Sequence, residues 1–232
     1  MRAILYKRVG ALCVAESRGN PVFCFNIGSI INIMKIQIIC LFPEMFEGVL
    51  TSSMLYKAQK NNLVEYSLIN LRDFGVGPRK TVDDTPYGGG DGMLLMIEPL
   101  SRAIEFAKSK DPEAKVILPT PAGENYKQSN AKKLAEESGL IIICPRYEGY
   151  DERVKNWVDY SYRIGNFVLT GGEIPAMAII DSVTRLIPGV LGGEASAEIE
   201  SFYNDDESVE FPQYTRPEEF SGLKVPEVLL SG

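Results

Sequence analysis

From Met34 onward, short runs of consecutive apolar residues alternate with stretches in which apolar positions recur every three or four residues. KIQIICLF (35–42) predicts a buried strand, since a strand covered on both faces needs no polar alternation. Pro43 follows, where its fixed φ suits the first turn of a helix, and helical spacing runs on to about Asn61. VEYSLINL (64–71) alternates as a strand, a Gly/Pro-rich loop fills 75–92, and helical spacing returns from Ile97 to Lys108. KVILP (115–119) predicts a strand, Asn125 to Ser138 an amphipathic helix with Gly139 as its C-cap, and LIIIC (140–144) another buried strand. A short strand near Arg163–Leu169 and a helix from Ile174 to Leu186, stopping before Pro188, complete the alternation. The pattern predicts an α/β fold with a mainly parallel sheet. Gly189 to Tyr214 is polar, acidic and aperiodic, and predicts a long flexible loop of the kind that is functional or disordered.

Residues 1–33 break the pattern, being basic and apolar without a clear period. They fit upstream sequence called as coding, a targeting peptide, or a real appendage. A secretory signal fits poorly because no compact apolar region follows the first charges, and composition favours Met34 as the true start. No apolar run reaches the roughly 18 residues needed to span a bilayer.

Length and composition suit one α/β domain: 232 residues, 45% hydrophobic and 24% charged. The chain has no histidine. That excludes a Ser-His-Asp triad, a Cys-His dyad and any His-ligated zinc or haem, so proton transfer must use carboxylates, Lys, Tyr, Cys or the substrate itself. Of the four cysteines, Cys13, Cys24, Cys40 and Cys144, no two form a CxxC pair. Cys40 and Cys144 lie in apolar runs and predict buried strand positions. The reading is a cytoplasmic protein in a reducing compartment, with no disulfide or structural metal. Net charge is −7, and residues 34–232 hold 20 basic against 30 acidic residues, a net of −10. Phosphate contacts need Lys and Arg, so any RNA binding would need a local basic patch, a second subunit or a part outside this chain.

Four loop segments could carry chemistry: TVDDTPYGGGDGM (81–93), PTPAGE (119–124), CPRYEGYDERV (144–154) and RIGNFVLTGGEIPAM (163–177). Three follow predicted strands, and ligands of α/β sheets bind outside the strands' carboxyl ends. Gly88-Gly89-Gly90 with Gly92 is neither a dinucleotide fingerprint nor a P-loop; it fits a tight turn or a close approach to a ligand or chain. Gly171-Gly172 before Glu173 fits either free N–H groups at a helix N-terminus or an ordinary turn. RYEGYDER fits a solvated face or a site placed just after a buried strand. Among the late acids Glu194, Glu198, Glu200, Asp205, Asp206 and Glu207, most suit solvent, while one could close over a substrate as a general base.

LFPEMF (41–46), the 81–93 segment, RYEGYDERV (146–154), IGNFVLTGGEIPAMAIIDSVTRLIPGVLG (164–192) and YTRPEEFSGLKVPEVLLSG (214–232) resemble, in order and spacing, the bacterial tRNA (guanine-N1-)-methyltransferase family. The resemblance covers Met34 to Gly232. It implies a SPOUT-type α/β methyltransferase domain (34–190) with a deep C-terminal trefoil knot, a flexible active-site loop (191–213), and, from 214–232, the start of a linker to a C-terminal helical domain. It also implies an obligate homodimer with active sites built from both subunits, S-adenosylmethionine as methyl donor, tRNA as partner rather than DNA or membrane, and magnesium without a fixed protein site. Its cofactor contacts fall on Leu118, Pro119, Thr120, Pro121 and Gly123; on Tyr147, Glu148 and Gly149; and on Ile164, Gly165, Asn166, Phe167, Val168, Leu169, Gly171 and Gly172. The family's guanine-binding arginine maps to Arg185, and its aspartate base to Glu200. Glu200 is thus a departure, as are Gly193 and Gln213 at positions where histidine is frequent, and Pro145 and Ala122. The implied activity is methylation of N1 of the guanine at tRNA position 37; a SAM-binding homologue without turnover is the alternative. Another SPOUT methyltransferase fits less well, because the PYGGG and YTRP segments are particular to this family.

Overall fold

The computed structural model describes residues 33–191, 200–202 and 207–231, together with the backbone of residues 4–8, 11–15 and 24–25. Those early strands, β1 (Ile4–Arg8), β2 (Ala11–Ala15) and β3 (Cys24–Phe25), form a small antiparallel sheet in a stretch whose sequence has no readable period.

The main domain begins with β4 (Met34–Cys40). The helix expected from Pro43 is divided into a 3-10 turn (Pro43–Phe46), α1 (Glu47–Leu50) and α2 (Ser53–Lys60). The break falls at two serines: Ser52 is extended at φ −126° and ψ 155°, and Ser53 is left-handed at φ 51°, which a right-handed helix cannot continue through. Next come β5 (Val64–Asn70), the short antiparallel pair β6 (Asp83–Asp84) and β7 (Leu94–Leu95), and α3 (Ile97–Lys110). β8 (Lys115–Asn125) runs well past the expected end at 119. α4 (Gln128–Ala135) is shorter than expected; the Asn130 side-chain oxygen accepts the Lys127 N–H at 2.8 Å at its start. Gly139 is not its cap but opens β9 (Gly139–Ile143), where a Cβ would collide with the Asp111 carboxylate. β10 spans Tyr160–Arg163, so the strand expected near 163–169 lies earlier and residues 164–172 are loop. α5 (Glu173–Thr184) is followed by the exposed hairpin β11 (Glu219–Phe220) and β12 (Leu223–Lys224), then α6 (Glu227–Leu230).

The central sheet has the order β10-β8-β9-β4-β5, and every pairing is parallel. Alternate residues point to opposite faces, and each face is covered. Ile36, Ile38, Leu140 and Ile142 pack with α2, α4 and α5; Ile39, Val116, Ile141 and Ile143 pack with α3 through Leu100, Ala103 and Ile104. This two-sided burial explains the unbroken apolar runs. Cys40 and Cys144 are buried free thiols on the first face, while the side chains of Cys13 and Cys24 lie outside the described residues. No helix among the described residues is long and apolar enough to cross a membrane.

Candidate active site

In a parallel sheet all carboxyl ends lie on one side, where segments leaving β9 and β10, with a bulge inside the neighbouring β8, form a cavity of about 360 Å³. Pro119, Thr120 and Pro121 form one wall. The β8–β10 register jumps from Leu118 opposite Ser161 to Glu124 opposite Tyr162, and the residues between arch out of the ladder. The arch returns tightly: a Cβ on Gly123 would stand 2.5 Å from the Tyr162 amide nitrogen. Arg163 fixes this corner by donating from Nη1 to the Gly123 carbonyl at 2.6 Å and from Nε to Asn166 Oδ1 at 3.1 Å.

The second wall is Pro145 to Tyr150. Tyr147 sits at φ 59°, a left-handed conformation that costs a non-glycine residue on the order of 1–3 kcal/mol, and Gly149 at φ 132° completes the turn. The turn is held by the Gly149 N–H donating to Arg146 O at 3.1 Å. It is also stitched to the glycine-rich 81–93 loop: the Glu148 N–H donates to Met93 O and the Leu95 N–H to Gly149 O, both at 3.0 Å. Gly92 is glycine for a steric reason, since a Cβ there would overlap the Glu148 side chain, whereas Gly88 and Gly89 serve the turn alone. Desolvation, together with the nearby Asp83 carboxylate, holds the Tyr147 phenol above its ordinary pKa.

The third wall runs from Tyr162 to Gly172. Gly172 donates its N–H to Pro145 O at 2.7 Å, and a Cβ on it would lie 2.8 Å from Cys144 Cα. Phe167 and Val168 project from the rim and are largely exposed. Tyr150 crosses the cavity, donating its hydroxyl proton to Thr120 Oγ1 at 3.1 Å.

Most of the sequence-nominated cofactor residues therefore meet around one cavity. Leu118 does not line it but is buried against α3; Gly123 and Asn166 stand behind the wall as partners of Arg163. Pro145, Arg146, Tyr150, Glu152, Tyr162, Arg163, Thr170 and Pro175 line it without having been assigned a role. For Arg146 the available signal was a lone arginine directly after a buried strand, matched by an acid directly after Gly171-Gly172. Arg185 and Glu200 do not line this cavity. They pair with each other, Nη2 to Oε1 at 2.6 Å, and this hydrogen bond raises the Arg185 pKa. The candidate acids Glu194, Glu198, Asp205 and Asp206, and most of the loop expected at 191–213, lie outside the described residues. Among the described residues, no three His, Cys, Asp or Glu side chains are grouped to hold a metal ion.

A parallel α/β sheet with a glycine-lined cavity beyond its strands defines the molecule as an α/β ligand-binding domain, and comparison with known proteins gives its class: the fold is consistent with a SPOUT-type methyltransferase. The model of the tRNA (Guanine-1)-methyltransferase TrmD family matches residues 34–232, and the chain belongs to that family. It is 53% identical over 200 residues to the tRNA (guanine-N(1)-)-methyltransferase of Citrifermentans bemidjiense, covering 86% of this chain and 80% of that protein. The corresponding protein of Geobacillus kaustophilus is 50% identical over 200 residues, covering 86% and 81%. A crystal structure of tRNA (m1G37) methyltransferase from Aquifex aeolicus superposes with a TM-score of 0.73 at 38% identity, covering 86% of this chain and 84% of that one.

Proposed function

We propose that this chain uses S-adenosylmethionine to methylate N1 of the guanine at position 37 of tRNA, acting in the cytoplasm as a homodimer. The observation that carries the proposal is the cavity formed beyond β9 and β10 and at the bulge in β8, in a chain of this family. Its residues fit the donor. Pro119, Pro121, Leu169 and Pro175 offer apolar surface to a purine and ribose; Gly165, Gly171 and Gly172 leave backbone groups bare of side chains; and Glu148 adds a carboxylate suited to a cation. When bound, the donor supplies a sulfonium-activated methyl group. The protein's part is positioning and charge.

Guanine N1 must lose its proton before it attacks, and charge then grows on the guanine oxygen. Glu200 accepts that proton and Arg185 faces that oxygen. Both stand outside their own chain's cavity, which supports a site completed across the dimer, with Arg185 and Glu200 serving the partner's cavity. The exposed Phe167 and Val168 at the rim suit burial by a second copy. The deep trefoil knot that the family resemblance implies belongs to the same reading.

Calorimetry with S-adenosylhomocysteine tests the first step. The folded protein should bind it, and no binding at millimolar ligand would overturn the proposal.

A further inference from the structure

Among the described residues, Glu173 is the only ionisable side chain that is buried apart from tyrosine and cysteine, with no exposure at all. An isolated buried carboxylate is costly, and Glu173 has one partner of opposite charge, Arg146. The Arg146 Nε donates to Glu173 Oε1 at 2.9 Å and stands equally close to Oε2, which receives no hydrogen bond. The rest of the guanidinium is fixed as well. Nη1 reaches the Thr170 carbonyl at 3.4 Å, Nη2 lies 2.9 Å from Met45 Sδ, and the group sits 4.7 Å from the centre of the Phe42 ring.

The placement of this pair is informative. Arg146 lies just after β9 and Glu173 opens α5, and nearly all of the cavity lining outside Pro119–Pro121 is chain that leaves at Arg146 and returns at Gly172. The ion pair is the clasp of that loop. It rests directly on the bare backbone of Gly171, where a Cβ would stand 2.5 Å from Arg146 Nε and 2.6 Å from Glu173 Oε2. The clasp therefore sets where Thr170, Gly171 and Gly172 stand relative to the Pro145–Gly149 turn. A pair serving stability alone could be replaced by apolar residues of similar volume. This one joins two walls of a ligand cavity and exposes a face of Arg146 to it.

We propose that Arg146 and Glu173 are the positioning pair of the methyl-donor cavity: the pair holds the Gly171-Gly172 wall in its binding geometry and contributes to donor affinity rather than to the methyl-transfer step. This rests on the methyltransferase reading above. The test is calorimetric titration of the full chain with S-adenosylhomocysteine, comparing the unaltered protein with Glu173→Gln, Arg146→Lys and the neutral double variant Arg146→Gln/Glu173→Gln. Leu134→Ala, a core change on the buried face of α4, serves as a control for stability loss. Each single variant should bind about tenfold more weakly, and the double variant no more weakly than the worse single, because both changes open one clasp. Leu134→Ala should lower the melting temperature without changing the dissociation constant. The affinity loss should exceed any loss in the single-turnover rate at saturating donor, and a rate loss larger than the affinity loss would overturn the assignment. If the single variants do not fold, the double variant, which leaves no unpaired charge, carries the test and should still bind about tenfold more weakly. Unchanged binding in the variants, additive losses, or an equal affinity loss in Leu134→Ala would overturn the assignment. An unaltered chain that does not bind would overturn the methyltransferase reading and the assignment with it.

Discussion

Arg185 Nη2 lies 2.6 Å from Glu200 Oε1, tying the residue that ends α5 to a carboxylate 15 positions further on. Both side chains are about one-third exposed, so the pair contributes only about 0–1 kcal/mol to stability. Replacing either partner should therefore change chemistry far more than folding. Arg185→Ala should lower the single-turnover methylation rate by about 10²-fold or more, with a melting temperature within a few degrees of the parent. Glu200→Gln should have a comparable kinetic effect, and Glu200→Asp, the residue type that the family resemblance implies for the base, should raise the rate. Rapid-quench kinetics at saturating tRNA checks all three, and an unchanged rate in Glu200→Gln would reassign the base.

If the pair serves the partner's cavity, defects on different subunits should complement. A chain carrying Arg185→Ala mixed with one carrying Gly172→Val, whose added carbons collide with Pro145 and Cys144, should form some dimers with one intact site. Methyl transfer by the mixture should exceed that of either variant alone. Activity no higher than the sum of the two would favour a site within one chain.

Tyr147 holds a left-handed backbone at the cavity wall. Tyr147→Gly removes that strain along with the ring, so it should leave thermal stability equal or higher while weakening S-adenosylhomocysteine binding. A scanning melt paired with calorimetry separates the two effects, and a lower melting temperature would show that ring contacts outweigh the strain.

Burial pushes the thiol of Cys40 up to about 12 from 9.0, and the phenols of Tyr66 and Tyr126 up to about 12 from 10.0. Groups whose folded pKa is raised lend stability that is fully present below the unfolded pKa and is lost as pH rises toward the folded value. Unfolding free energy should therefore hold steady up to pH 9 and fall between pH 9 and 12, with Cys40 alone accounting for about 4 kcal/mol by pH 12. Denaturant titrations at pH 8 and 10.5 measure the slope. A Cys40→Ala chain should lose less stability between those two pH values than its parent.

The sheet was legible because its strands are buried on both faces: IQIIC and LIIIC have few other uses in a chain this size. Loop geometry was less so. β10 was misplaced because YSYR carries polar side chains at the sheet edge, whereas IGNFVL, which reads as a strand, lines the cavity with two of its apolar residues held out to solvent. The α1–α2 break hinged on the backbone of two serines, Ser52 and Ser53, which spacing does not encode. The segments around the cavity were visible as glycine-rich stretches after strands. The contact between Arg146 and Glu173 spans 27 residues, and no local pattern announces it.

The proposed reaction places a methyl group on one nitrogen of one guanine. Incubating the protein with labelled S-adenosylmethionine and two tRNA transcripts, identical except for guanine or adenine at position 37, decides whether it does so. Label should appear as N1-methylguanosine at position 37 of the first transcript and be absent from the second. Equal labelling of both transcripts, or no labelling by a protein that binds the donor and the tRNA, would contradict it.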